Sequence, residues 1–376
     1  MKRFCINSGF MVYIRQKLSV STTILLLLLI TFMIHTAHAS EVNMREVFSI
    51  AIDIHDPQVV YITMPRGLYK SINGGEEWIF QSDALEDYPR PLALDSNNPP
   101  IIYSVGATRK LNGIFIKSND GGESWDFANN GVWIKTSEFY KDDSNFQKCG
   151  QIKRSIAIDP QNSSILYVGV KGGVCKSVDG GLSWDLMSKG LNRNLNVDFL
   201  VIAQQNTSLI YAGTDRGIYK SIDAGESWTA VRLETEGDSI KDLAIDPKNP
   251  EIVYAVIRSS PFSYLYKSMD GGEVWQRLTS PEIGSSYWYM KFIAIASDSS
   301  IIYVGTREGV YGSTDQGLSW QAPHLVPVGG HGGVKVVAVD PKNPKTVYIG
   351  TSGGMFKSTD GGKTWYAINN GLPEWQ

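Results

Sequence analysis

The sequence predicts an all-β fold: a single seven-bladed β-propeller of four-stranded antiparallel blades, with a turn of fixed wording between the third and fourth strands of each blade. Three observations predict it. Nearly the same eight residues recur seven times, most clearly as Ser177-Val178-Asp179-Gly180-Gly181-Leu182-Ser183-Trp184. The copies end at Trp78, Trp125, Trp184, Trp228, Trp275, Trp320 and Trp365, with successive tryptophans 44 to 59 residues apart. A period of about forty to fifty residues belongs to propellers, solenoids and arrays. Between copies lie short β-branched and aromatic runs separated by Gly, Pro, Asn and Asp, the wording of antiparallel strands and tight turns.

Residues 1–39 are expected to be a signal peptide. Lys2, Arg3, Arg15 and Lys17 make a basic leader, Ile24–Ile34 is an apolar run broken only by Thr31, and Ala37-His38-Ala39 fits a small-x-small cleavage site before Ser40. The stretch from Val20 to Ile34 is short for a membrane span of about twenty residues. Residues 40–376 are therefore expected to be a secreted or periplasmic propeller, held at a membrane only if the leader stays uncleaved.

The last repeat shows the blade plan. Val334 to Val339 is the first strand (a), and Asp340-Pro341-Lys342-Asn343-Pro344 turns into a second (b) from Thr346 to Thr351. Ser352-Gly353-Gly354 turns again into strand c, Met355 to Ser358; the eight-residue repeat then leads to strand d, Thr364 to Ile368. The same order recurs from Val47, Leu92, Ser155, Phe199, Ile240 and Phe292. Such sheets arranged around an axis leave only short protected edges. Packing of the first blade on the last, or an edge strand from Glu41 to Glu46, would close the ring; the sequence leaves both open.

The chemistry of the repeat is structural. Ser and Asp side chains bond backbone groups of a turn, Gly supplies a backbone angle that other residues resist, and the Trp is expected to open strand d and pack between blades. Burying about 150–250 Å² of ring at roughly 25 cal/mol per Å² contributes at most about 4–6 kcal/mol. The acidic position is Asp120, Asp179, Asp223, Asp270, Asp315 and Asp360, with Asn73 in the first copy, where an amide oxygen can accept the same bonds. This Ser-x-Asp-x-Gly-x-x-Trp pattern resembles the Asp-box, or BNR repeat, of sialidases, xyloglucanase-type glycosidases, sortilin-type receptors and photosystem II assembly-factor propellers. The resemblance covers the chain after the leader. It implies a propeller and leaves the chemistry open, because one fold carries many functions.

Composition narrows the classes. The formal charge is −3, and the leader carries only basic residues, so residues 40–376 are more acidic still. That excludes a general nucleic-acid binder, which needs basic excess against phosphates. After the leader the cysteines are Cys149 and Cys175, an even pair that exported proteins can oxidise. No Cys/His cluster has metal-ligand spacing, so no metal and no cofactor are expected. Gly350-Thr351-Ser352-Gly353-Gly354 matches a nucleophile-elbow pattern. It falls at a b–c turn, where other repeats read Gly213-Thr214-Asp215-Arg216-Gly217 and Gly305-Thr306-Arg307-Glu308-Gly309, and not at the strand-to-helix turn that motif needs.

Antiparallel connectivity puts the uniform a–b and c–d turns on one face of the ring and the variable b–c and d–a turns on the other. Function is expected on the variable face, since rigid scaffolds carry functional residues on their loops. Its loops hold Trp133, Tyr140, Tyr287 and Trp288, rings suited to sugar stacking or protein hot spots. Where strand a begins, equivalent positions read Phe48, Arg90, Arg154, Asp198, Lys241, Lys291 and Lys335. The five basic residues predict a positive rim that holds an anionic protein or carbohydrate. The expected function is therefore non-catalytic binding of a protein or glycan. The alternatives are a sialidase- or xyloglucanase-like glycoside hydrolase, and an assembly factor resembling photosystem II propellers. Sialidase-like enzymes add an arginine triad that the lysines here do not replace. Xyloglucanase-type enzymes use two propellers. Glu138, Asp142, Asp143, Glu234, Glu236 and Glu282 lie on the variable loops, and their spacing selects no catalytic pair.

Overall fold

The structure, a computed structural model, describes residues 45–85, 91–95, 100–107, 112–127, 152–233, 238–259, 261–278, 290–321 and 333–373. The chain divides into two units, Met1–Asn43, which lies outside the described residues, and Met44–Gln376, which is compact. The leader and its cleavage site lie outside the described residues.

The second unit is a ring of seven antiparallel sheets, each built in strand order a-b-c-d. Strands a are Ser49–Ile52, Leu92–Leu94, Ile152–Asp159, Val197–Ile202, Ser239–Ile245, Phe292–Ile295 and Val334–Val339, blades 1 to 7 in chain order. Each packs on the strand a of the next blade, and that of blade 7 packs on that of blade 1. Six sheets have four strands. Among the described residues the fourth strand of blade 6 is reduced to a bridge from Gln321 to Gly312.

Strand d is shorter than its wording suggests. In blade 7 it is Tyr366–Ala367, not Thr364 to Ile368, because the turn holds the Thr364 N–H on Asp360 Oδ1 at 2.9 Å. The tryptophan accordingly precedes strand d in most blades, and opens it only in blade 5, Trp275–Leu278.

The core is divided among the seams between blades. Seven buried clusters each join a strand-b tyrosine of one blade to the repeat tryptophan of the next: Tyr61 with Trp125, Tyr103 with Trp184, Tyr167 with Trp228, Tyr211 with Trp275, Tyr254 with Trp320, Tyr303 with Trp365 and Tyr348 with Trp78. Thus the tryptophans pack between blades, as expected. Phe115 meets Trp184 edge-on, with ring centroids 4.7 Å apart.

The repeat turns are built as their wording implies. In blade 4, Ser221 Oγ donates to Asp223 Oδ1 at 2.8 Å and accepts the Gly225 N–H at 2.8 Å. Asp223 accepts the Ser227 N–H at 2.9 Å. In blade 1 Asn73 keeps the pattern, accepting from Ser71 Oγ at 2.8 Å and from the Glu77 N–H at 3.0 Å. The Asp-Pro turns between a and b are likewise Asx turns: Asp340 Oδ1 accepts the N–H groups of Lys342 and Asn343 at 2.8 and 3.1 Å.

The ring closes by packing and hydrogen bonds between blades 7 and 1. The Val47 N–H donates to the Thr351 carbonyl at 3.1 Å, the Trp78 N–H to Asn370 at 2.9 Å, and Trp78 Nε1 to Ile368 at 2.7 Å. Arg45 donates to the Pro373 carbonyl. Within the described residues no strand is added to the edge.

Candidate functional site

The rim positions share a backbone device that the sequence did not announce. In blades 4, 5 and 7 the pairing of a with b slips by one residue at Asp198, Lys241 and Lys335, each standing between residues that pair on either side. In blade 6 the Lys291 N–H reaches the Gly305 carbonyl at 3.1 Å while Phe292 already pairs with Gly305, so two residues face one. In blade 3 the irregularity spans Ile152 to Ile156 and contains Arg154. A bulge re-aims a side chain and recurs at barrel rims and binding sites. Here the irregularity falls at the rim position near the start of strand a.

Opposite the irregularities of blades 3, 4, 6 and 7 stands the Gly of the strand-b wording, replaced by Val256 in blade 5, and its reason is close approach between blades. A Cβ on Gly350 would lie 2.6 Å from Val47 Cγ1 and 2.7 Å from Val336 Cγ1, and one on Gly169 would meet the Val197 carbonyl. The Thr that follows caps the b–c turn: Thr351 Oγ1 donates to the Gly354 carbonyl at 3.0 Å and accepts the Gly353 N–H at 2.9 Å. Ser352 therefore sits in a tight hairpin turn.

Three predicted rim residues have described side chains. Lys335 pairs with Glu46 at 2.7 Å. Lys291 is exposed and makes no ion pair among the described residues. Packing around its ammonium lowers its pKa first, with the Lys335 and Arg307 charges adding to this and Glu46 opposing it. The Lys241 pKa is also lowered, by desolvation and then by Arg258, against Asp198. The structure thus brings Lys291, Lys335 and Arg307 together, with Glu46 beside them, and places Lys241 near Arg258 and Asp198. Arg90, Trp133, Tyr140, Tyr287 and Trp288 lie outside the described residues, as does the side chain of Arg154. So do Glu138, Asp142, Asp143, Glu234, Glu236, Glu282 and Cys149. Cys175 is disulfide-bonded, and its partner is not among the described residues.

Two residues near the rim escaped the sequence reading. Arg307 sits in the blade 6 b–c turn. Asp242 stands one residue inside Lys241 and accepts the N–H groups of Leu243 and Ile293, both at 2.9 Å, so its carboxylate ties the innermost strands of blades 5 and 6. Burial pushes its pKa up to about 7, with those two hydrogen bonds opposing. Ser49 plays the same part between blades 1 and 2, accepting the Leu92 N–H at 3.2 Å. A signal was available: the equivalent positions elsewhere are Ser49, Pro91, Ser155, Phe199, Phe292 and Val336, and only this one is charged.

The family description "Sortilin, neurotensin receptor 3" (Sortilin-Vps10) matches residues 172–309. Repeats, ring and match agree. The fold is that of a BNR-type propeller. The chain is 29% identical to a xyloglucanase of Hypocrea jecorina over 136 residues, which cover 32% of this chain and 15% of that protein. Among solved structures, the propeller resembles the GH74 enzyme of Niastella koreensis with a TM-score of 0.65 and 23% identity, covering 85% of this chain and 53% of that one. It resembles YCF48 of Cyanidioschyzon merolae with a TM-score of 0.59 and 14% identity, covering 84% of this chain and 96% of that one. The propeller therefore spans about half of the GH74 chain and nearly all of YCF48. At these identities the structural likenesses speak for the fold alone.

Proposed function

We propose that this chain is an exported, non-catalytic β-propeller that binds an anionic protein or glycan on the face of its b–c and d–a turns. The observation that carries the reading is the bulge at the start of strand a, which recurs at Lys241, Lys291 and Lys335 in three successive blades; on this reading it turns their side chains toward the mouth of the ring. Lys291 is held next to Lys335 and Arg307, an arrangement that an anion relieves. Export rests on the leader's wording and on the likeness to an extracellular domain of Bacteroides protein BT4673, with a TM-score of 0.59. Ligand binding by a propeller of this size has a parallel in YCF48, one structure of which is described as bound to D1 peptide.

The test is a glycan and peptide array on residues 40–376, with acidic and neutral probes, for the wild type and a variant carrying Lys241→Gln, Lys291→Gln and Lys335→Gln. An acidic probe binds the wild type, loses affinity as salt rises, and is lost from the variant. Affinity also falls with rising pH earlier than for an ordinary lysine, because the Lys291 and Lys241 pKa values are lowered. Equal affinity in both proteins overturns the reading.

Identity to a xyloglucanase favours a second reading, glycoside hydrolysis. Asp242, with its pKa pushed up to about 7, has the protonation a general acid needs. Its two oxygens, however, each hold a backbone N–H, and no second carboxylate contributes to its shift. Glycosidases need a carboxyl pair about 5–10 Å apart. Turnover of xyloglucan that disappears in Asp242→Asn would replace the binding reading.

A further inference from the structure

The face that carries the eight-residue repeat turns, the signature turns of the blades, also carries a recurring internal contact that is missing from one seam. In six blades a strand-b tyrosine pairs across the sheet with a strand-c lysine: Tyr61 with Lys70, Tyr103 with Lys117, Tyr167 with Lys176, Tyr211 with Lys220, Tyr254 with Lys267 and Tyr348 with Lys357. Each ammonium lies 5.2 to 5.9 Å from its ring centroid. The pair faces the signature turn of the next blade. Tyr211 Oη and Lys220 Nζ both donate to the Gly271 carbonyl at 2.7 Å. Tyr348 and Lys357 donate to Gly74 at 3.2 and 2.9 Å, and Tyr167 and Lys176 to Ala224, both at 3.0 Å.

Blade 6 breaks the series. Tyr303 pairs with Gly312, so no ammonium is supplied from within, and Tyr303 Oη donates to the Pro344 carbonyl at 2.9 Å instead. The Gly361 carbonyl, which corresponds to Gly74 and Gly271, has no hydrogen-bond donor among the described residues; the Gly121 and Gly180 carbonyls also lack one, but there Lys70 and Lys117 lie over the neighbouring Tyr61 and Tyr103 rings. A Cβ on Gly312 would stand 3.5 Å from the Tyr303 ring and 3.6 Å from that carbonyl oxygen. At this place a cavity of about 120 Å³ opens, lined by Ile301, Gly312, Thr314, Gln321 and the turn residues Asp360 and Gly361, with Lys345 and Lys363 also at its wall. That space is well above the ~10–15 Å³ one water needs and admits a four- or five-atom alkylammonium.

The geometry points to a binding site for a primary alkylammonium between blades 6 and 7, in which the ligand supplies the ammonium that lysines supply at the other seams. Among the lining groups the Gly361 carbonyl and the Asp360 carboxylate are acceptors for a cation, with the buried Tyr303 ring behind Gly312. Burial raises the Asp360 pKa, but hydrogen bonds from Thr364, Ser358 and the Lys363 N–H together outweigh it and hold it at about 2, so that wall is anionic at neutral pH. Asp298 and Asp360 both act on the Tyr303 phenol, as Glu76 and Asp340 act on Lys357. The exposed Lys345 and Lys363 favour an anion instead, and the test separates the two. The ligand is either a free small amine or a lysine side chain of a partner polypeptide.

The experiment titrates the protein with n-butylammonium, with n-butanol, with sodium phosphate, and with acetyl-Gly-Lys-Gly-amide beside its norleucine counterpart. Thermal unfolding and ¹H–¹⁵N spectra are the readouts. n-Butylammonium is expected to shift the Gly312 and Gly361 amides saturably, and n-butanol is not. A response to the lysine peptide as well assigns the site to a partner's side chain; its absence assigns it to free amines. Gly312→Lys is expected to abolish the amine response and raise the unfolding temperature by roughly 2 °C or more, having restored a charge-assisted bond. Gly312→Leu, which fills the space without charge, is expected to abolish the amine response too. Equal responses to butanol and butylammonium, a response to phosphate alone, no response to any probe, or an amine response that survives both substitutions would overturn the assignment.

Discussion

A single hydroxyl in each signature turn serves two partners, and it is the residue on which the turn depends. Ser221 is 1% exposed, and its Oγ is the acceptor for the buried Gly225 N–H. Ser221→Ala leaves that N–H without a partner and should cost about 1–3 kcal/mol, read as a lower unfolding temperature. The turn carboxylates give the ring its acid limit. Hydrogen bonds from Ser124, Ser227 and Ser319 hold Asp120, Asp223 and Asp315 at about 2, below the ordinary 3.8. Their stabilisation is present above about pH 4 and is lost as pH falls through 2. Asp242 acts in the opposite sense. Its pKa is raised to about 7 in the folded chain, so stability declines as pH rises from about 4 through 7. Unfolding temperatures measured from pH 5 to pH 9 should therefore fall in the wild type and stay flatter in Asp242→Asn.

At the scale of the element, strand order was legible in the sequence and register was not. The repeats fix where turns fall, because Asp, Gly and Trp have turn and seam duties that few residues can share. A one-residue bulge leaves the spacing of the repeats unchanged. The rim alignment therefore found Lys241, Lys291 and Lys335 without showing that the backbone slips there. The strand-b glycine was legible as a motif, while its cause, the next blade's strand a, is a contact between repeats. Gly350→Ala places a Cβ 2.6 Å from Val47 and 2.7 Å from Val336 and should destabilise by about 1–3 kcal/mol. Gly305→Ala, with its nearest contacts at 3.2 Å, should cost less. Denaturant midpoints of the two variants compare the seams directly. The tyrosine–lysine pairs were also in plain view, as a tyrosine after an aliphatic residue in strand b and Lys-Ser at the end of strand c. Their role depends on which turn lies across the seam, and a single blade does not contain that turn.

The whole molecule is a set of seams closed on itself. Each cluster of the core belongs to two blades, and the last joins Tyr348, Met355 and Leu372 to Val47, Ile62 and Trp78. No blade buries its own tyrosine without the tryptophan of its neighbour, so the ring is expected to unfold as a unit. The uniform face is where neighbouring blades are fastened; the gap at Gly312 is an exception on that face. The variable face is left to the bulges and their charges. The central claim is that ligand sits over those bulges, and hydrogen exchange in the presence of the acidic ligand chosen from the array tests it most directly. The account predicts slower exchange at the starts of strand a, from Val197 to Phe199, Ile240 to Asp242, Lys291 to Phe292 and Val334 to Val336, with the signature turns unchanged. Protection confined to the signature turns, with the strand-a starts exchanging as before, would contradict it.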